Sequence, residues 1–340
     1  MERAQKPAIS VIVPVYNGGW CLAQCLEGIR QSSYQYYELI VVDNGSTDDS
    51  VAIAQAYGAV VAHCPGPSGP GAARNVGVHL AKGRILLFVD ADVVVHDDVL
   101  DRVADRFGAD PDLAAVFGSY DDRPAAQNFL SQYKNLLHHF VHQQAKSQAT
   151  TFWAGCGAIR KDVFVKAGGF DQEKYPTPSI EDIELGGRLH RQGYRICLDK
   201  AIHATHLKEW RLVSLLRAEI CYRAIPWSRL ILERQGLVND LNLKMSQRAS
   251  AGVAGLFLAV LPGTLVVPSL AYGCLFLLCL FVLLNRDLFA FFLRRRGVVF
   301  SAMTIPMHGF YFVYSGVTFV LMWLAHLCWG PRGAVAPGRK

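Results

Sequence analysis

The 340-residue chain is long enough for one large domain plus a smaller unit, and at 51% hydrophobic residues it is more apolar than most soluble enzymes of its size. Its net charge of +6 is modest, and its basic residues gather beside apolar stretches (Arg211, Arg217, Arg223, Arg229, Arg234, Lys244, Arg248, then Arg294, Arg295 and Arg296), a placement that suits anionic lipid headgroups better than nucleic acid. Nine cysteines without a CxxC pair argue against a disulfide framework or a zinc site and for a reducing, cytosolic compartment.

Met1 to Lys6 is polar and leads directly into a strand, so no signal peptide is expected. From residue 9 to about 200, short β-branched runs alternate with helical patterns, the signature of βαβ units on a mostly parallel sheet. Strands are expected at Ile9–Val15, Glu38–Val42, Val60–His63, Ile85–Val89 and Leu113–Gly118, with helices starting near Trp20, Ser46, Gly71 and Val99. Ser46 followed by Asp49 resembles a capping box for the second helix. Ligands of open α/β sheets sit beyond the carboxyl ends of the strands. Pro14–Asn17, Asp43–Ser46 and Asp90–Asp92 follow three such ends and should converge on one crevice.

Asp90-Ala91-Asp92, directly after an apolar strand, can aim two carboxylates at one hard cation, Mn2+ or Mg2+. Such an ion neutralises charge building on a departing nucleoside diphosphate. Two aspartates in a loop also serve as turn formers, and spacing alone does not choose.

Context adds to this. The runs Ile9–Asn17 (ISVIVPVYN), Glu38–Asp48 (ELIVVDNGSTD), Gly71–Gly77 (GAARNVG) and the DxD occur in that order. Residues 8 to 207 thereby resemble the family 2 glycosyltransferases of the GT-A fold, which implies a mixed, mostly parallel sheet and a nucleotide-sugar donor. By that resemblance Pro14 and Tyr16 line the base pocket, and Asp43 accepts from a uracil-type imide. The Gly69–Gly71 loop and helix start offer backbone donors to an anion. Arg74 meets the diphosphate, with a structural salt bridge as the competing account. Asp90 holds ribose or sugar hydroxyls beside the metal and Asp92 binds the metal, with His206 as a further metal ligand. His203 lies three residues away, and the sequence does not say which histidine faces the site.

Phe152–Arg160 (FWAGCGAIR) resembles the family's glycine-containing strand beneath the donor sugar, which puts Trp153, Gly155 and Cys156 on the acceptor side. Glu181-Asp182 matches the family's ED motif at a helix start, which makes Asp182 the expected general base; helix capping is its structural alternative. An acceptor hydroxyl that attacks the anomeric carbon opposite the nucleotide needs one carboxylate to take its proton, and configuration inverts. Glycosidases instead flank the bond with a carboxylate pair.

Beyond residue 207 the pattern changes. Residues 208–248 interleave Trp210, Leu215, Leu216, Ile220, Trp227, Leu230 and Ile231 with arginines, as in a helix lying at a membrane surface, and Pro226 should interrupt or kink it. Ala249–Leu284 and Gly297–Trp329 carry no Asp, Glu, Lys or Arg. As one helix the first would be roughly 50 Å long against a bilayer core of about 30 Å, so spans at about 249–267 and 269–284 with a turn near Pro262–Pro268 fit better. A third span at about 307–329 would precede a tail at 331–340, and the flanking arginines would hold the catalytic domain in the cytosol on a multi-pass inner-membrane protein.

The chain is thus expected to be an inverting, metal-dependent transferase that moves a sugar from a UDP-, GDP- or dTDP-sugar to a hydroxyl or phosphate of a lipid-linked acceptor. A processive polysaccharide synthase is the alternative, but its QxxRW motif is not found after the ED motif. A nucleotidyltransferase would need neither the ED motif nor a membrane anchor.

Overall fold

The computed structural model describes residues 8–66, 68–233 and 245–330. Readings that fall on residues 1–6, Arg234, Lys244 and the tail 331–340 lie outside them. The chain divides into two compact units between Trp210 and Arg211.

The first unit is built on one sheet. Its described strands are β1 (Ile9–Val15), β2 (Tyr37–Asp43), β3 (Val60–His63), β4 (Ile85–Val89), β5 (Val93–Val95), β6 (Leu113–Tyr120), β7 (Gln148–Ala149), β8 (Cys156–Arg160) and β9 (Arg195–His206). They lie in the order β3-β2-β1-β4-β8-β6-β9-β5, with β7 paired to β9. β3, β2, β1 and β4 are mutually parallel; β8 runs against both β4 and β6; β6 and β9 are parallel again. All seven residues of β1 are buried, as a strand covered on both faces requires.

The chain winds from β1 outward to β3, then crosses back so that β4 lies on the other side of β1. That reversal splits the connections to opposite faces and opens a crevice at the carboxyl ends of β1 and β4. The helices that frame it are α1 (Gly19–Arg30), α2 (Ser50–Ala56), α3 (Gly69–Leu80), α4 (Val99–Ala109), α5 (Phe129–Gln144), α6 (Lys161–Lys166) and α7 (Glu181–Arg191). α2 begins four residues later than the Ser46 reading, with Asp49 at its N-cap and no side-chain cap. Ser46 Oγ instead accepts the Asn17 N–H at 2.9 Å, a tertiary contact that outcompetes the local box.

The second unit is helical: α8 (Leu212–Arg217), a π-helical stretch Ala218–Ala224, α9 (Ile225–Glu233), α10 (Met245–Val260), a 3-10 turn Leu261–Leu265, α11 (Leu270–Leu284) and α12 (Arg286–Trp329). Pro226, expected to interrupt or kink the segment beyond residue 207, is the second residue of α9, where the π-helical stretch gives way to α geometry. A proline has no N–H to donate and crowds the carbonyl four residues back, and here the helix widens to π geometry just before it. Met245–Leu265 and Arg286–Cys328 are each long and apolar enough to cross a membrane, and Leu270–Leu284 is a shorter apolar helix. The stretch expected as a span at 307–329 lies inside the longer α12, which starts at Arg286 and breaks its helical geometry at Gly297 (φ 80°), directly after Arg294–Arg296.

Candidate active site

The loops after β1 and β2 are joined side by side. Asn17, in the left-handed region at φ 48°, accepts the Thr47 N–H through Oδ1 at 2.8 Å. The Gly18 N–H donates to Ser50 Oγ (3.0 Å), and the Gly19 N–H to Asp48 Oδ2 (2.8 Å). These bonds hold Tyr16 out into solvent, 55% exposed, while Pro14 stays buried in β1. Asp43, only 4% exposed, accepts the Ser46 N–H at 3.0 Å and sits 3.3 Å from His63 Nδ1. Burial alone would push its carboxyl up, but the hydrogen bonds from Ser46, His63 and Gly45 outweigh it and hold the group below the ordinary carboxylate value. At the start of α3, Gly69 has φ 78° and a Cβ there would come within 3.0 Å of the Pro176 backbone. The loop leading to α7 thus lies against the helix start that was expected to face an anion.

Arg74, on α3, joins the two acidic motifs. Its Nη2 donates to Asp90 Oδ1 at 2.6 Å and its Nη1 to Glu181 Oε1 at 2.9 Å, with the guanidinium 5.4 Å from the Phe170 ring. The side chain is buried, at 3% exposure, and although burial opposes its charge, Asp90 and Glu181 hold it firmly protonated. The salt-bridge account of Arg74 therefore describes its state here: the forked donors expected for a diphosphate are engaged by two carboxylates.

Asp182 follows in the first turn of α7. It is not the helix cap, a position held by Ile180. Its Oδ2 accepts the Ala154 N–H at 3.1 Å, across from the segment that leads into β8. α7 gets this close because Gly186, one turn further on, has no side chain: a Cβ there would lie 2.1 Å from the Phe152 nitrogen. Burial and the adjacent Glu181 push the Asp182 carboxyl up to about 6, against the smaller pull of the Ala154 bond and Arg74. Glu181 is held at both oxygens, by Arg74 and by the Ser179 N–H at 3.0 Å.

Asp92 and His206 meet through sheet pairing. β5 runs against β9 so that Val93 opposes His206 and the Leu207 N–H donates to the Asp92 carbonyl at 2.9 Å. His206 Nε2 then lies 3.5 Å from Asp92 Oδ2, and its Nδ1 faces Asn135 Oδ1 at 2.9 Å. Burial would raise the Asp92 carboxyl, but His206 and Lys208 hold it below its ordinary value. His203 points elsewhere, to Gln143 (3.2 Å) and the rings of His96 and His139. A carboxylate oxygen converging with an imidazole nitrogen is a donor set that fits a hard divalent ion. Asp90 presents one oxygen to Arg74, and among the described residues no three His, Cys, Asp or Glu side chains form a metal cage.

The strand expected beneath a sugar is filled by the chain itself. A Cβ on Gly155 would come 2.6 Å from the Trp153 indole, and one on Gly157 would come 2.2 Å from the Trp153 carbonyl. These glycines make room for Trp153 and Phe152. Cys156 is buried opposite Val89 in the core, with its thiol pushed up to about 12 by burial and then by Asp90. It therefore does not offer a side chain on the acceptor side. Trp153 packs edge-on to Tyr120 (4.8 Å) and near His138 (5.0 Å), and Tyr120 stacks on His206 at 4.4 Å. Tyr120, Asn135 and His138 were missed by sequence reasoning. Asn135, His138 and His142 share one face of α5 by their i, i+3, i+7 spacing, which was the available signal.

The sequence profile described as "Glycosyl transferase family 2" matches residues 10–168. Glycosyltransferase GlyG of Streptococcus pneumoniae is 36% identical over 242 residues, which are 66% of this chain and 77% of that protein. The chain belongs to the family 2 glycosyltransferases. Another relative of this transferase, glycosyltransferase AglE of Haloferax volcanii, is 36% identical over 103 residues, 28% of this chain and 34% of AglE. Among solved structures, the mannosyltransferase PcManGT from Pyrobaculum calidifontis in complex with GDP-Man and Mn2+ superposes with a TM-score of 0.51 at 17% identity, over 96% of this chain and 88% of that one. The expected fold class, a GT-A sheet domain followed by apolar C-terminal helices, describes the transferase.

Proposed function

We propose that this enzyme is an inverting, metal-dependent glycosyltransferase that moves a sugar from a nucleoside-diphosphate donor to a lipid-linked acceptor at the cytoplasmic face of a membrane. The observation that carries the reading is Asp182: a carboxylate anchored by the Ala154 N–H and pushed up to about 6 by burial and Glu181. A base poised near neutral pH is suited to taking a hydroxyl proton as the oxygen attacks.

In this reading Tyr16, Pro14 and Asp43 receive the base of the nucleotide. Asp182 accepts the acceptor proton; the acceptor oxygen bonds to the anomeric carbon from the face opposite the diphosphate; and the carbon–oxygen bond to the diphosphate breaks with its electron pair leaving on the nucleotide. A divalent ion held by Asp92 and His206 would neutralise the charge that collects on the departing diphosphate. Asp90, steadied by Arg74, has its second oxygen for donor hydroxyls, and Trp153 offers an aromatic edge on the acceptor side.

The two long apolar helices and the arginines at Arg248 and Arg294–Arg296 support membrane insertion with the basic ends in the cytosol. Confinement to the bilayer surface raises encounters with an acceptor confined there too. The solved structure of PcManGT in complex with GDP-Man and Mn2+ is compatible with the same donor class and ion.

The test is a panel of UDP-, GDP- and dTDP-sugars supplied to the detergent-solubilised chain with Mn2+ and membrane lipid extract. One donor should yield a product that partitions into organic solvent. Equal transfer to water-soluble acceptors would remove the lipid acceptor from the reading, and pyrophosphate exchange without sugar transfer would identify a nucleotidyltransferase instead.

A further inference from the structure

His206 is the last residue of β9 and is 6% exposed, with one ring face stacked on Tyr120 (centroids 4.4 Å apart, planes 12° apart). Stacking fixes the plane of the ring but not the position of its proton, because both nitrogens lie in that plane. The proton is placed by Asn135, on the facing side of α5. Its Oδ1, which can only accept, lies 2.9 Å from His206 Nδ1, so Nδ1 must carry the hydrogen. In the neutral ring, the form that can bind a metal, the lone pair then belongs to Nε2, the nitrogen 3.5 Å from Asp92 Oδ2.

In that state two electron-rich atoms face each other. A neutral imidazole nitrogen and a carboxylate oxygen repel unless a cation or a proton comes between them, so this arrangement is made for a shared positive charge. Asn135 is itself an awkward residue for its place. It is 1% exposed, and its Nδ2 has no hydrogen-bond partner among the described residues. A buried amide that leaves a donor unmet is a liability in a packed interior, where an apolar side chain of similar size would serve better. The liability makes sense if the position is kept for its oxygen.

We infer that Asn135 is the positioning residue for the metal: it holds His206 in the tautomer whose Nε2 can join Asp92 on a divalent cation. The inference rests on the reading that Asp92 and His206 share such an ion, and it adds an outer partner of the kind that orients metal-bound histidines elsewhere. Asn135 touches neither metal nor substrate and acts only through His206.

The experiment is a titration of the full chain in detergent with Mn2+ alone, reading free ion by its electron paramagnetic resonance signal, with a thermal melt of each variant. Asn135→Leu should weaken Mn2+ binding by about ten- to a hundredfold, the effect of losing such an outer partner, while the melting midpoint stays level or rises because the unmet donor is gone. Asn135→Ala, which removes the same oxygen without risk of overpacking, should show the same loss of affinity. Asn135→Asp, which still accepts from Nδ1, should bind Mn2+ at least as tightly as the wild type. Unchanged affinity in the Leu and Ala variants would overturn the inference. So would equal losses in the Asp and Leu variants, because packing and not hydrogen-bond acceptance would then be the cause. A wild-type chain that binds no Mn2+ would sink the metal reading itself, and that outcome is visible before any variant is made.

Discussion

Asp92, just past the tip of β4, and Asp182, in the first turn of α7, are the same residue type in the same catalytic unit, but their surroundings drive them in opposite directions. Both lose solvation by burial, which favours the protonated form. At Asp92 the nearby His206 and Lys208 more than compensate, so the carboxylate stays charged. At Asp182 the adjacent ionised neighbour is Glu181, of like sign, and the bonds from the Ala154 and Ile183 N–H groups and the charge of Arg74 do not make up the difference. One acid is thereby favoured as the anion, which the proposed cation site requires, and the other is shifted toward taking up a proton, which the proposed base requires. Environment, not residue identity, separates the two roles.

The hardest test of that contrast is Asp182→Asn. The amide keeps an oxygen to accept from Ala154 but cannot accept a proton, so transfer should fall about a thousandfold, within the range of a lost general base. Stability should move the other way. A carboxyl whose value rises from 3.8 to about 6 on folding lowers stability as pH climbs through that interval, and the full cost is present at neutral pH. A melt at pH 7.5 should therefore show the variant as stable as the wild type or more so. A variant that lost activity only because it unfolded would contradict this assignment.

Arg74→Ala probes the bridge between the two regions. It strands the buried Glu181 and the partly exposed Asp90 without their shared partner, and the uncompensated buried charge should cost about 3–5 kcal/mol of folding stability, measurable by denaturant titration. A surface-like loss well under 1 kcal/mol would mean the bridge carries little.

Glu181→Gln is the gentlest perturbation. Removing the like charge should lower the Asp182 value, so the acid limb of kcat/KM, falling as pH drops through about 6 in the wild type, should move to lower pH. A pH–rate profile from pH 4.5 to 8 reads this directly. A limb that stays in place would show that burial alone sets the base.

Much of the catalytic unit was legible in the sequence because its signals are local. β1, β3 and β4 fall where continuous β-branched runs put them, and Asn17, Asp43 and Asp90 lie at or just past the carboxyl ends of the neighbouring strands β1, β2 and β4. What was not legible depends on partners distant in the chain. Ser46 has a capping pattern, yet its hydroxyl is taken by Asn17 from another loop. The short β5 has only three residues and gains its register from β9, more than a hundred residues later, so only the family resemblance, and no local pattern, brings Asp92 and His206 together in the sequence. For Arg74 the sequence leaves a diphosphate contact and a salt bridge both open, because nothing nearby in the chain announces that Asp90 and Glu181 will enclose it. The glycines around Cys156 were read as clearance for a sugar, whereas the Trp153 and Phe152 rings fill the space they leave.

Gly186 carries a consequence for how this enzyme can vary. The reach of Asp182 is fixed by a missing methyl group: the backbone of α7 lies against that of Thr151–Phe152, and even alanine would act as a wedge between them. Such a wedge would tilt the helix and draw the Asp182 carboxylate away from its anchor without altering a single polar atom. Tolerance to substitution at this spot is therefore governed by steric volume, and the placement of the Asp182 carboxylate is inherited from the smallest residue type in the helix.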